Sequence, residues 1–120
     1  MDESILDSIK LILGVDTEYD VFDSEILMAI NSSFMSLTQL GLGPAEGFKV
    51  PNKATTWADI LGTRQDLESV RSYIGIKSRI LFDPPTNSYI LQALQDSATE
   101  FQWRIRTQLE ETQLEEATNV

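Results

Sequence analysis

Three acidic residues, Asp16, Glu18 and Asp20, have the spacing best suited to chemistry, because the stretch "DTEYD" places carboxylates at alternate positions. Such carboxylates could hold a divalent cation or perform acid–base chemistry in a cleft. The stretch lacks the glycine at the sixth position and the closing glutamate of a calcium loop. The pattern therefore favours a solvated turn and helix cap, and we expect no metal site.

The residue types on which most enzymes rely are missing from the chain. It has no cysteine and no histidine, which excludes disulfides, thiolate zinc sites, cysteine nucleophiles and imidazole bases. It also has no glycine-rich phosphate loop and no Gly-x-Ser-x-Gly elbow that could activate a serine. We therefore expect a protein that is not an enzyme and that needs no cofactor.

A net charge of −10 argues against a protein that wraps a nucleic acid, because such binding depends on lysine and arginine displacing counterions from phosphates. The charge is uneven: from Arg64 to Arg106 there are 6 bases and 5 acids. This near-neutral middle is where acidic partner surfaces would bind, although each charged residue taken alone suits a solvated helix face. An acidic protein that mimics DNA and inhibits a nuclease or a DNA-binding protein is the alternative that the charge suggests.

The length of 120 residues and the apolar content of 42% fit one small domain with a modest core. No window approaches the roughly 18 uninterrupted apolar residues of a membrane span, and the first residues lack the basic start of a signal peptide. We expect a soluble protein that is neither exported nor bound to a membrane.

The first half of the chain predicts two helices and a long loop. Helix-forming periodicity runs from Ser4 to Leu13, before Gly14, and again from about Val21 to Leu40, with Asp20 and Asp23 as an acidic capping pair. Residues 41–56 contain three glycines and two prolines without helical period, so they predict a loop with a possible extended piece at 48–50. Trp57 begins "WADILG", a possible single turn, and we expect its ring to anchor the loop onto the core.

The second half predicts the two longest helices. Thr63 and Asp66 form a possible cap, and the helix from Leu67 to Phe82 has two adjacent apolar stripes, which indicates contact on two sides. Gly75 lies inside this helix, where a close approach by another helix would explain it. The stripes consist of Val70, Ile74 and Leu81, and of Tyr73, Ile76 and Ile80.

The last helix is expected from near Ser88 to about Glu110. Its core face consists of Leu91, Leu94, Ala98, Phe101, Ile105 and Leu109. Residues 1–110 would then form one helical domain, and residues 111–120 an acidic tail that is flexible unless a partner orders it.

An exposed aromatic face is predicted on this last helix. Tyr89 and Trp103 fall outside the core face, and Arg104 and Arg106 flank the tryptophan. Because tryptophan, tyrosine and arginine dominate the energetic centres of protein contacts, this face indicates an interface. A tryptophan folded over the edge of the bundle explains the same pattern equally well.

The stretch "ILFDPPTNSYIL" separates the two long helices. Pro84 disfavours helical geometry at Asp83, and neither Pro84 nor Pro85 can donate an amide hydrogen bond. The preceding helix must end near Phe82, and Thr86, Asn87 or Ser88 can cap the next one. The fold class is therefore all-α: a bundle of about four helices, with an antiparallel hairpin of helices 3 and 4 and a long loop between helices 2 and 3.

The run "RSYIGIKSRILFDPPTNSYILQALQDSATEFQWRIR" resembles the head–tail connector, or adaptor, proteins of tailed bacteriophages and prophages. The likeness rests on Lys77 and Arg79 before Phe-Asp-Pro-Pro and on Trp-Arg at 103–104. It covers roughly residues 57–107, and the remainder agrees in layout, because such proteins are small, mostly helical and begin with two further helices.

The resemblance implies a structural virion protein without catalysis. Such proteins dock as a ring of about a dozen copies under the portal protein, extend the DNA channel without binding DNA specifically, and receive the head-closure, stopper or tail-completion protein. The chain would be found at the head–tail interface of the virion, and in the host cytoplasm during assembly, where it could be a monomer. The candidate contact residues are Tyr73, Arg79, Tyr89, Trp103, Arg104 and Arg106, and the hairpin turn is formed by Asp83, Pro84 and Pro85.

Overall fold

The protein, analysed as a computed structural model that describes residues 3–42, 47–62 and 67–118, is all-α in that part of the chain. The described residues form five helices: α1 (Ile5–Leu13), α2 (Asp23–Thr38), α3 (Trp57–Leu61), α4 (Leu67–Phe82) and α5 (Ser88–Thr118). The predicted bundle is thus confirmed, and α3 is the single turn expected at "WADILG". None of the described helices combines the length and the apolar character that crossing a bilayer requires.

Helix α1 has the ends that its sequence predicts. The Ser4 hydroxyl accepts a hydrogen bond from the Asp7 amide at 3.2 Å, and Gly14 ends the helix with a left-handed φ of 78°. Ile5, Leu6 and Ile9 are buried. This face packs α1 against both α2 and α4.

Helix α2 begins differently from the prediction. Its N-cap is Phe22, which makes no side-chain capping bond, so the expected Asp20–Asp23 capping pair is wrong. The Asp23 carboxylate instead binds the ammonium of Lys10 at 2.7 Å, and the Phe22 ring packs edge-on against Phe82 at 5.7 Å. A long-range ion pair and an aromatic contact thus replace the local cap.

The loop before α3 is tied to the rest of the bundle by side chains. Residues 48–50 form no strand; instead Val50 is buried, and the Asn31 amide donates to its carbonyl and accepts from its N–H at 3.0 and 2.8 Å. Trp57 is buried, as predicted, and its indole N–H donates to Ser8 Oγ at 3.1 Å. The expected cap at Thr63 and Asp66 lies outside the described residues.

Helix α4 is the centre of the bundle, because it packs against α1, α2 and α5. Val70, Tyr73 and Ile74 are buried, which confirms the contact on two sides, whereas the predicted stripe residue Leu81 is half exposed near the end of the helix. A Cβ atom at Gly75 would lie 2.8 Å from Cδ1 of Ile12. The close approach expected at this glycine is therefore confirmed, and the approaching element is α1.

The hairpin forms where the prolines predict it. Helix α4 ends at Phe82, and the Asn87 side chain caps α5 by accepting from the Tyr89 and Ile90 amides at 2.8 and 3.2 Å. Helix α5 then runs back along α4, with Ala98, Ile105 and Leu109 buried. It continues to Thr118 rather than ending near Glu110, and its 31 residues span about 46 Å.

Candidate assembly surface

The outer face of α5 carries the two aromatic side chains that the sequence predicted to be exposed. Tyr89 is 84% and Trp103 is 65% exposed. Fourteen residues separate them, which places them on the same side of the helix and about 21 Å apart along its axis. Of the two readings that the sequence allowed for Trp103, the structure therefore has the exposed one.

The two arginines beside Trp103 are also at the surface, and each is paired along α5. Arg104 binds Glu100 at 2.7 Å and lies over the Phe101 ring, with its guanidinium carbon 5.5 Å from the ring centre. Arg106 reaches Glu110 at 3.5 Å. All four charged groups are more than half exposed, so these pairs contribute little to folding and could be exchanged for contacts with a partner.

Tyr73 is not part of this surface. It is 2% exposed and belongs to the core between α2, α4 and α5, so its inclusion among the candidate contact residues is corrected. Burial raises the pKa of the Tyr73 phenol above its ordinary value of 10.0, while a hydrogen bond with the Ser36 side chain acts weakly in the opposite direction. The Tyr73 ring thus stabilises the fold, as its place in an apolar stripe of the helix also indicated.

Arg79 and the hairpin turn lie away from the Trp103 face. Arg79 is half-buried in the last turn of α4, and its carbonyl accepts the Asp83 amide at 2.9 Å. No acid in the described part of the chain lies within ion-pair distance of its guanidinium. Asp83 and Pro84 are exposed and Pro85 is half-buried, so the turn is accessible to a partner at one end of the bundle.

A shallow groove runs beside Trp103. One part, of about 300 Å³, is lined by Trp103, Arg106 and Leu40. The other part, of about 170 Å³, lies between α4 and α5 and is lined by Lys77 and Ile80, with the largely buried Tyr73 at its wall. The two parts have the lining residues Thr99 and Gln102 in common, and we call them together the α4–α5 groove.

A buried lysine is the functional feature that sequence reasoning missed. Lys10 is fully buried, and its ammonium donates to the carbonyls of Thr17 and Tyr19 at 3.1 and 2.7 Å and to the Asp23 carboxylate at 2.7 Å. All three of its donors are therefore satisfied. A single lysine between the apolar residues Ile9 and Leu11, a few residues before an acidic stretch, was the signal that could have revealed it.

The same lysine explains the conformation of the stretch "DTEYD". Its backbone carbonyls turn inward to the Lys10 ammonium, while the carboxylates of Asp16, Glu18 and Asp20 are on exposed residues. Asp16 Oδ1 accepts the Glu18 amide at 2.8 Å, which forms a tight turn. Lys10 thus binds backbone carbonyls of this stretch and none of its three carboxylates, and no acidic cluster suited to a metal occurs among the described residues.

The comparison with protein-family models matches residues 5–112 to a model described as "Phage connector protein". This match spans all five helices up to the last turns of α5. The chain belongs to the phage connector protein family. The resemblance seen in residues 57–107 is thereby confirmed and extended to the N-terminal helices.

Family membership gives this phage connector a structural role in the virion, in a family that is not enzymatic. It also implies contact with other virion components. A comparison with curated proteins found no match, and neither did a comparison with solved structures.

Proposed function

We propose that this phage connector docks as a ring under the portal protein, extends the DNA channel and receives the head-closure or tail-completion protein. The observation that carries the proposal is the uncovered outer face of α5. This helix makes most of its contacts with α4, yet it presents Tyr89 and Trp103 to solvent beside Arg104 and Arg106. A helix face of this composition suits a protein interface.

Ring assembly needs two different contact faces on one subunit, because each copy touches two neighbours in a head-to-tail manner. Helices α2 and α5 both pack on α4 and make few contacts with each other. Their outer faces are therefore separate surfaces. Met28, on α2, is 71% exposed and borders a groove of about 350 Å³ with Leu81 and Phe82, so apolar surface is present on both sides of α4.

The charge of the chain suits a channel through which DNA slides. A surface with a net charge of −10 repels phosphates, so DNA would pass without being held. Membership in the phage connector family favours this role over the DNA-mimic alternative, which depends on the charge alone.

A Trp103→Ala variant tests the proposal. Because Trp103 is 65% exposed, the free energy of unfolding should change by less than about 0.5 kcal/mol. Binding to purified rings of the cognate portal, measured by cosedimentation, should weaken by at least about tenfold, as expected for a tryptophan at the centre of an interface.

Leu11→Ala is the matched control, since Leu11 is 69% exposed on α1, away from the α5 face. It should bind the portal like the unchanged protein. A Trp103→Ala variant that melts at a much lower temperature but binds normally would assign Trp103 to folding and would contradict the proposed role of this face.

A further inference from the structure

The α4–α5 groove combines apolar lining with positive charge. Leu40, Ile80 and Trp103 supply apolar surface, and Lys77 and Arg106 supply the charges, of which Arg106 also reaches the exposed Glu110 at 3.5 Å. No carboxylate is among the described residues that line the groove, and Lys77 has no acid of the described chain within ion-pair distance. In a chain with a net charge of −10, such a groove fits an acidic segment with exposed apolar side chains.

The α1–α2 loop, residues 15–22, has that composition. Asp16, Glu18 and Asp20 are exposed, and the loop contains no base. Tyr19, between Glu18 and Asp20, and Val21, after Asp20, are 48% and 62% exposed. The loop therefore presents to solvent the two kinds of group that the groove would bind.

The loop is also held in one conformation before any partner arrives. Its carbonyls at Thr17 and Tyr19 accept hydrogen bonds from the buried Lys10 ammonium, and the Tyr19 and Phe22 rings pack edge-on at 5.8 Å. A segment ordered in advance loses less conformational entropy on binding. Because Lys10 holds the backbone of the loop, it also determines where the acidic side chains of the loop lie.

The loop and the part of the groove beside Leu40 and Trp103 lie at opposite ends of α2. Phe22, the N-cap of α2, packs against Phe82 at one end of the bundle, whereas Leu40, two residues past the end of α2, lines the groove beside Trp103. The 16 residues of α2 separate these ends by about 24 Å. A chain therefore cannot place its own Tyr19 and Val21 against its own Leu40 and Trp103, but it can offer its loop to one neighbour and its groove to another.

We propose that the α4–α5 groove of one copy binds the α1–α2 loop of a second copy, with Tyr19 and Val21 against Trp103 and Leu40 and the loop carboxylates beside Lys77 and Arg106. Two complementary, separate patches make a heterologous contact, which is the kind of contact that builds a ring when the rotation between copies closes. The inference rests on the proposed ring and specifies how neighbouring copies meet in it. Both patches are small, so the contact would be weak between free chains and would assemble on a portal that holds many copies together.

Charge reversal tests this pairing on portal rings. Glu18→Lys with Asp20→Lys in the loop, or Lys77→Glu with Arg106→Glu in the groove, should each raise the concentration needed to fill a portal ring by at least about tenfold. All four changes in one chain restore opposite charges across the contact and should recover most of the lost assembly. Glu68→Lys and Lys49→Glu, at exposed residues outside both patches, are the controls for single charge changes and should assemble normally.

Cross-linking gives a second measurement, which does not require the charge-reversal variants to fold. Because the chain contains no cysteine, Glu18→Cys and Lys77→Cys introduce unique thiols. A mixture of the two single variants with a short bismaleimide should form dimers, and a chain with both changes should form a ladder. Glu68→Cys in place of Glu18→Cys should form neither product.

The outcomes separate the two proposals. Suppose that the unchanged chain fills portal rings. If the charge-reversal variants then assemble equally well and the Glu18→Cys and Lys77→Cys variants do not cross-link, the pairing is overturned and the portal-docking role stands. If the unchanged chain does not bind the portal, that role fails, and the cross-linking of free chains at high concentration decides the pairing: a ladder supports it and its absence overturns it.

Discussion

Lys10 is the fully buried charged residue of the described structure, and it connects three parts of the chain. Its ammonium binds two carbonyls of the α1–α2 loop and the carboxylate of Asp23 at the start of α2. A buried charge costs free energy unless it is paired and fully hydrogen-bonded. Here all three donors have acceptors, so the lysine fixes the loop against both helices.

A Lys10→Met variant should lower the free energy of unfolding by about 3 kcal/mol, because it keeps the volume but leaves the Thr17 and Tyr19 carbonyls and the Asp23 carboxylate without their donor. Urea denaturation measures this change. Lys53→Met is the control, since Lys53 is exposed and lies 3.9 Å from Asp7; it should change stability by less than about 0.5 kcal/mol. Equal effects in the two variants would refute the role of Lys10.

Tyr73 gives the fold a dependence on alkaline pH. Its pKa is raised above 10.0 in the folded state by burial, so the unfolded chain loses this proton first. The contribution of the neutral phenol is complete below pH 10.0 and declines as the pH rises from there through the raised pKa. The free energy of unfolding should therefore fall as the pH rises above 10.0.

In a Tyr73→Phe variant, the free energy of unfolding should decline less at alkaline pH than in the unchanged chain. Denaturation at a series of pH values from 8 to about 11 measures this difference. Tyr89→Phe is the control, because Tyr89 is 84% exposed and its replacement should leave the pH profile unchanged. Parallel profiles for Tyr73→Phe and the unchanged chain would contradict the assignment.

At the scale of elements, the contact of α1 with α4 depends on the absence of a side chain at Gly75. Alanine favours the helix by about 1 kcal/mol over glycine, but its Cβ would meet Cδ1 of Ile12 at 2.8 Å. Ile12 is about half exposed, so its end can move at a modest cost. The two effects should nearly cancel, and Gly75→Ala should change the free energy of unfolding by less than about 0.5 kcal/mol.

A double-mutant cycle isolates this contact. In an Ile12→Ala background the obstruction is gone, so Gly75→Ala should stabilise the protein by about 1 kcal/mol in urea denaturation. The same gain in both backgrounds would show that the close approach of α1 does not account for the glycine.

The ends of the elements show how far the sequence determines the fold. Gly14 and the Pro84–Pro85 pair act through local backbone geometry, and the helices end where these residues predict. The start of α2 was mispredicted, because the Asp23 carboxylate binds a lysine 13 positions away rather than its own helix end. Local patterns do not contain such long-range partners.

The length of α5 illustrates a different limit. The core stripe disappears near Glu110, which suggested the end of the helix, yet residues 111–118 consist of glutamate, glutamine, threonine, leucine and alanine without glycine or proline. Most of these residues favour helix, so α5 continues to Thr118 after its apolar face ends. The loss of the apolar stripe did not indicate the end of the helix. The flexibility expected of the acidic tail, residues 111–120, remains a prediction.

The candidate surface was predictable where it depends on helical spacing alone. Tyr89 and Trp103 fall outside the core face of α5 in the sequence and are exposed in the structure. Tyr73 was misplaced, because its burial depends on how α2 packs against α4. The α4–α5 groove could not be predicted at all, since it combines residues from three helical regions.

At the scale of the whole molecule, the phage connector is a bundle built around α4 that leaves apolar surface on both flanking helices, α2 and α5. The proposed ring uses these surfaces, together with the loop and groove at the two ends of α2. In this proposal, the net charge of −10 would keep DNA from adhering to the channel of the ring. The central claim is therefore about assembly on a portal.

Electron microscopy of cognate portal rings incubated with the unchanged chain tests that claim most directly. We predict a second, coaxial ring of added density on one face of the portal, with an open central channel continuous with the portal channel. Portal rings that show no added density at saturating concentrations of the chain, or density that closes the channel, would contradict the account.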